Sequence, residues 1–371
     1  MAVIGVVGLG VMGLGIAQTY AAAGFDVIAS DGHAPARATA LDRIRKGLAR
    51  RVSSGKMTEA ALEDLLGRVQ IAPDLADLAP CALIIEAIAE KLDAKQDLFA
   101  KLELVAPNAV LATNTSSLPV SEIRKGLARP DRLLGLHFFN PAPVMKLVEL
   151  VITDADEAAI TLARQVTEKT GKTVIACADR PGFIVNRCAR PFYGEALAML
   201  EEGCNAAEID AAMEAAGYRL GPFALIDLIG ADINLAATEG LATAMGGHPR
   251  YHIYDALRQQ VAKGDLGRKT GRGFIVGQDL PKIDAPNPDI ALRIEAMLAN
   301  EAATLLEEGA VTEADVDRAL KLGLNFPRGP FAAARAHGLN QVREVLMQLE
   351  RQAPDEMKPR YRISPALLAL N

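Results

Sequence analysis

Three groups of side chains in this chain have types and spacings suited to chemistry. The first is Gly8-Leu-Gly10-Val-Met-Gly13, a G-x-G-x-x-G run of the kind that lets a backbone approach phosphate groups. The second is His137, at the end of the apolar run Leu133–Phe138, with Glu149 twelve residues further on. An imidazole at a strand end can take the proton of a hydroxyl group, and that separation permits a carboxylate to hold its tautomer. The third is a basic strip. Arg37, Arg43, Arg45, Lys46, Arg50, Arg51 and Lys56 lie within twenty residues, with Asp42 the only acid between Arg37 and Lys56. On a chain of net charge −6 such a strip is local, and it suits a polyanionic handle rather than nucleic acid.

These groups need elements to position them. Val3–Val7, Asp26–Ser30, Leu83–Ala87, Ala109–Ala112 and Leu133–Phe138 are short apolar runs, as expected for parallel strands buried on both faces. Helical patterns at Gly13–Ala23, Pro35–Val52, Lys91–Val105 and Glu157–Thr170 alternate with them. That alternation predicts an α/β, Rossmann-like doubly wound sheet. In such a sheet Gly8 makes the tight turn, Gly10 admits the pyrophosphate, Gly13 lets helix and strand pack, and Val11 and Met12 open the helix whose N-terminus receives the phosphates. Asp31, at the end of the second strand, is placed to accept from the adenosine ribose hydroxyls. Its charge opposes a 2′-phosphate, and Gly32-His33-Ala34 supply no arginine for one, so the cofactor expected is NAD.

These blocks, together with Thr113-Asn-Thr-Ser-Ser-Leu118, Gly135-Leu-His-Phe-Phe-Asn-Pro141, Val144-Met-Lys-Leu-Val-Glu149, Pro181-Gly-Phe-Ile-Val-Asn-Arg187 and Gly267-Arg-Lys-Thr-Gly-Arg-Gly-Phe274, resemble the 3-hydroxyacyl-CoA dehydrogenase family, in particular its 3-hydroxybutyryl-CoA dehydrogenase-like members. The resemblance covers about residues 3–276 and extends more weakly to about Leu368. It implies an oxidoreductase of fatty-acid metabolism and β-oxidation that interconverts (3S)-3-hydroxyacyl-CoA and 3-oxoacyl-CoA. By resemblance, His137 is the general base/acid and Glu149 orients it. Ser116 bonds the substrate oxygen or the cofactor amide, and Asn186 positions the substrate carbonyl region. Glu90, Lys95, Asn140 and Lys269 match cofactor-contacting positions. For CoA the chain departs from the family pattern, with Gly47 and Ser54 where relatives can carry a serine and a lysine, so Arg50, Arg51 and Lys56 are the residues expected to take that role. Two alternatives are a superfamily dehydrogenase acting on a free hydroxy acid or carnitine-like substrate, and a non-catalytic crystallin-like relative.

After Asp179-Arg-Pro-Gly182 the pattern turns helical, and it repeats. Ala198-Met-Leu-Glu-Glu-Gly203 returns as Thr304-Leu-Leu-Glu-Glu-Gly309, Ala207-Glu-Ile-Asp210 as Glu313-Ala-Asp-Val-Asp317, and Gly221-Pro-Phe223 as Gly329-Pro-Phe331, at offsets of 106 to 108 residues. The expected domains are therefore residues 1–180 (NAD-binding), 181–277 (helical) and 288–371, a degenerate second copy in tandem. The copies predict either a monomer holding an internal pseudo-dimer or a homodimer. Half the residues are hydrophobic and 23% are charged, a globular composition rather than a disordered one. Cys81, Cys177, Cys188 and Cys204 show neither a zinc-ligand nor a disulfide spacing, so no metal and a reducing, cytoplasmic setting are expected. No apolar run reaches the roughly 18 residues of a membrane span, and neither membrane nor nucleic acid is an expected partner.

Overall fold

The structure is a computed structural model that describes residues 2–371. The chain divides into two compact units, residues 1–180 and 181–371. In the first, eight strands form one sheet: β1 (Ile4–Val7), β2 (Val27–Ser30), β3 (Val69–Ile71), β4 (Leu83–Glu86), β5 (Val110–Thr113), β6 (Leu133–Phe138), β7 (Leu147–Ile152) and β8 (Thr173–Ala178). Their order is β3-β2-β1-β4-β5-β6-β7-β8. All pairs are parallel except β6 with β7. Every residue of β1, β2, β4 and β5 is buried, which is why those strands read as unbroken apolar runs. Ile4, Val6, Ile85, Leu134 and Leu136 pack with Ile16 and Tyr20 of the first helix in one core.

The helices of this unit depart from the sequence reading in two places. The pattern read as one helix over Pro35–Val52 is two, Ala34–Ala38 and Ala40–Ser53, separated at Thr39. A further helix, Glu59–Gly67, follows it and packs against it through Leu62, Leu65 and Leu66. Strand β3 has three residues, with Gln70 exposed, too few for any periodic signal. No helix is long and apolar enough, among the described residues, to cross a membrane.

The second unit is helical. Helix Pro288–Glu307 is buried along nearly its whole length, including Glu295, Asn300 and Glu301. Carboxylates such as Glu295 and Glu301 survive burial only when paired, and Arg328 meets Glu295 at 2.6 Å. Arg187 Nε donates to Glu301 at 2.6 Å and its Nη1 meets Glu308 at 2.8 Å; Arg293 Nε donates to Glu195 at 2.8 Å and its Nη1 to Glu202 at 2.6 Å. In the same reciprocal way Arg250 meets Glu301 and Arg360 meets Glu195, with the hydroxyls of Tyr251 and Tyr361 donating to those two carboxylates. The Gly-Pro-Phe turns have one cause. Asp210 accepts from the N–H groups of Phe223 and Ala224, and Asp317 accepts from those of Phe331 and Ala332. A Cβ on Gly221 or Gly329 would lie 2.4 or 2.3 Å from the capping aspartate's Cα.

Candidate active site

At the nucleotide end, glycine is required at Gly8 and Gly13 for packing reasons. Gly8 has φ +99° and a Cβ there would sit 2.6 Å from the Ala87 carbonyl oxygen; one on Gly13 would sit 1.7 Å from that of Gly8. Gly10 differs, since nothing lies within 4 Å of its would-be Cβ. The helix that follows, Val11–Ala22, has no side-chain cap and no acid in its first turn. Its N-terminal N–H groups and dipole therefore face an open approach, which fits a pyrophosphate. Val11 is 71% exposed at this end, and Met12 is partly buried behind it. Asp31 accepts from Leu9 N at 2.7 Å and His33 N at 2.8 Å, so the strand-end carboxylate also ties down the glycine turn. Two arginines that the local sequence does not bring here arrive from the next helices. Arg37 donates to the Asp31 carbonyl and Arg43 to that of Leu9.

His137 and Glu149 stand directly opposite each other in the antiparallel β6–β7 register. They are twelve positions apart in sequence because Phe138, the loop 139–146 and the first two residues of β7 lie between them. His137 Nδ1 lies 2.6 Å from Glu149 Oε2, with the residues 6% and 0% exposed. The carboxylate thus holds the Nδ1 side of the ring and fixes the orientation of the imidazole. The Phe139 ring packs on the imidazole, centroids 4.5 Å apart. Phe138 N donates to Asn114 Oδ1, joining the end of β6 to the Ser116 loop. Lys172 donates to the carbonyls of Ala142 and Met145 and so fixes the turn between β6 and β7.

Ser116 is exposed on the loop after β5, and Glu90 organises that loop. Glu90 Oε1 accepts from the Thr115 hydroxyl at 2.6 Å, from Ser116 N at 3.0 Å, and from the N and Oγ of Ser117. Burial works against the Glu90 charge, but the Thr115 hydroxyl, the Lys95 ammonium and the Ser116 amide outweigh it and hold the carboxyl below its ordinary range. Lys95 is only 1% exposed and pairs with Glu86 at 2.6 Å and Glu90 at 3.2 Å. It braces the site from beneath rather than facing an open approach. Glu86, fully buried, also accepts from Thr113 and Ile88 N; nothing in the sequence pattern of β4 sets it apart as a site residue.

Asn140 is exposed just past β6. In the basic strip, Arg45 pairs with Glu63 and Arg37 and Arg43 turn to the nucleotide loop, whereas Arg50, Arg51 and Lys56 are exposed. Asn186 and Lys269 belong to the helical unit. Asn186 follows a sharp turn in which Gly182 and Phe183 both take left-handed backbone, φ +74° and +48°. Lys269 is ion-paired with Asp232.

A doubly wound sheet with an open glycine turn and a buried imidazole–carboxylate pair at a strand end defines a nicotinamide-dependent oxidoreductase. Comparison with known proteins narrows the class. The family model for the 3-hydroxyacyl-CoA dehydrogenase NAD binding domain matches residues 3–180, and that for the C-terminal domain matches residues 182–277 and 290–370. The chain belongs to the 3-hydroxyacyl-CoA dehydrogenase family and is an NAD-dependent enzyme of it. It is 34% identical to a 3-hydroxyadipyl-CoA dehydrogenase of Escherichia coli, over 97% of this chain and 95% of that one. It is 41% identical to a probable 3-hydroxybutyryl-CoA dehydrogenase of Deinococcus radiodurans, over 73% of this chain and 98% of that one. A crystal structure of an Escherichia coli 3-hydroxybutyryl-CoA dehydrogenase superposes with a TM-score of 0.92 at 32% identity, covering 99% of this chain and 98% of the other.

Proposed function

We propose that this enzyme interconverts (3S)-3-hydroxyacyl-CoA and 3-oxoacyl-CoA, with His137 moving the proton. The observation that carries the reading is the buried His137–Glu149 pair set across the strand register. NAD, when bound, supplies the hydride acceptor. In the oxidative direction His137 Nε2 takes the C3 hydroxyl proton as the C3–H bond gives up its hydride and the C3 carbonyl forms. Glu149 holds Nδ1–H and stabilises the imidazolium that results. Ser116, on the loop ordered by Glu90, bonds the reacting oxygen, and Asn186 positions the acyl carbonyl region. Asn140 and Lys269 complete the cofactor's surroundings, and Arg50, Arg51 and Lys56 take the CoA phosphates. The test is NADH loss with acetoacetyl-CoA against free acetoacetate. The thioester should be reduced far faster, and equal rates on both would overturn the reading.

We also propose that residues 181–277 and 288–371 are tandem copies of one module, the second packed on the first as a pseudo-twofold partner that supplies no active-site groups. Support comes from the reciprocal ion pairs. Arg187 and Arg293, Glu195 and Glu301, and Glu202 and Glu308 each differ by 106 residues, and each arginine meets the carboxylates of the other segment. On this reading the enzyme is a monomer with an internal pseudo-dimer, at work in the cytoplasm.

A further inference from the structure

The helical unit buries many arginines, and their partners separate one of them from the rest. Arg187, Arg250, Arg293, Arg328 and Arg360 each meet a carboxylate. Arg343 donates to three carbonyl oxygens near the chain's end. Arg190, partly buried, has Asn186 O at 3.2 Å, Thr238 Oγ1 at 3.1 Å and the Tyr193 ring 5.0 Å from its guanidinium carbon. No carboxylate lies within ion-pair distance of it among the described residues. Burial accordingly pushes its guanidinium below the ordinary range, with only Tyr193 acting the other way. One turn before Thr238 on the same helix, Asn234 is 2% exposed and its Oδ1 is buried without a hydrogen-bond partner. A buried cation without a counter-charge and an unmet amide oxygen cost stability, so their retention needs a reason outside the fold.

The corresponding positions of the other segment show that the fold itself makes no such demand. At the offset of 106, Asn186 and Arg190 correspond to Leu292 and Ala296; at the offset of 108, which relates Gly230 to Gly338, Asn234 and Thr238 correspond to Val342 and Leu346. All four are apolar and at most 5% exposed. The same helices therefore pack with a dry, apolar filling at one place and with a polar, under-partnered one at the other.

We propose that Arg190, with Asn234 and Thr238 beside it, is the specificity site for an ω-carboxylate on the acyl chain, so that the substrates of this enzyme are 3-hydroxy-dicarboxylyl-CoA thioesters. The inference rests on the proposed function, which puts the acyl carbonyl region at Asn186. Arg190 stands one helical turn, about 5.4 Å, beyond Asn186, roughly the reach of a carboxylate three carbons past the hydroxyl-bearing carbon. A guanidinium suits a carboxylate because its N–H groups bind both oxygens at once. A plain acyl tail of the same length leaves the cation buried and unpaired.

The test compares 3-hydroxyadipyl-CoA with 3-hydroxyhexanoyl-CoA, equal in chain length and differing in the terminal carboxylate. The full-length enzyme should favour the diacid thioester at least tenfold in kcat/KM. In Arg190→Met that preference should fall at least thirtyfold, and in Arg190→Lys by a smaller factor of at least three. A preference within twofold of the parent in Arg190→Met would overturn the proposal. Should Arg190→Met not fold, the parent and Arg190→Lys decide, and a parent without any preference for the diacid overturns it outright. Turnover of neither thioester with NAD would instead sink the functional reading, whereas turnover of both without discrimination sinks only the role of Arg190.

Discussion

On the proposed mechanism the His137–Glu149 pair acts as one proton-handling unit, and its two members are useful only together. His137→Gln should lower kcat by about 10²–10⁴ while leaving NADH affinity nearly unchanged, because general-base work is expressed in the transition state. Glu149→Gln should also be severe, and the double substitution much less than additive. Steady-state kinetics with an NADH titration check this, and a His137 variant with most of its kcat would refute it. Asp31 argues similarly for cofactor choice. NADH should bind at least tenfold more tightly than NADPH, about 1.4 kcal/mol. Because Arg37 and Arg43 reach back to the loop and strand end beside Asp31, Asp31→Ala should narrow that gap by removing the one repelling charge while both cations stay. Comparable affinity of the parent for both cofactors, or an unchanged gap in the variant, would count against it. These residues were legible because their types and motifs stand out at strand ends; Glu86, also the last residue of its strand, was not, since nothing local shows that Lys95, Thr113 and the Ile88 amide converge on it.

At the scale of elements, the glycine turn separates packing from binding. Gly13→Ala puts a methyl group 1.7 Å from the Gly8 carbonyl oxygen, so the first helix must shift off the sheet. Gly10→Ala meets nothing within 4 Å, yet on the proposed reading its methyl enters the space through which the pyrophosphate approaches. Thermal melts with NADH titrations should therefore show Gly13→Ala losing both stability and binding. Gly10→Ala should keep its Tm and lose NADH affinity at least tenfold. A Gly10→Ala protein that binds NADH normally would remove the glycine turn from the cofactor site. The long parallel strands were readable from their apolar runs. The short β3 and the break at Thr39 were not, because one is settled by edge pairing and the other by local backbone geometry.

At the scale of the molecule, the reciprocal ion pairs predict what truncation does. A chain ending after Gly277 lacks Arg293, Glu301, Glu308 and Arg360, and so leaves Arg187, Glu195 and Arg250 without the partners that permit their burial. It also strips cover from the apolar face under helix Pro288–Glu307. The shortened protein should aggregate or dimerise through that face, as light scattering would show. A shortened chain that stays monomeric and as stable as the parent would rule the pseudo-partner arrangement out.

What the sequence by itself determined is whatever is encoded locally: the glycine turn, the apolar parallel strands, the histidine at a strand end, and the recurrence of Leu-Glu-Glu-Gly and Gly-Pro-Phe. Each is a pattern over a few consecutive residues, set by backbone sterics or by strand and helix period. Only the tertiary structure decided which distant groups meet. It set Glu149 across from His137 by strand register, folded Glu90 and Lys95 under the Ser116 loop, and turned Arg37 and Arg43 to the nucleotide end. It also gave Arg187 to Glu301, 114 positions away, and left Arg190 with no carboxylate. The reason is physical: a charge selects its partner by the desolvation it must offset where the chain buries it, and that burial is a property of the packed molecule, not of any segment.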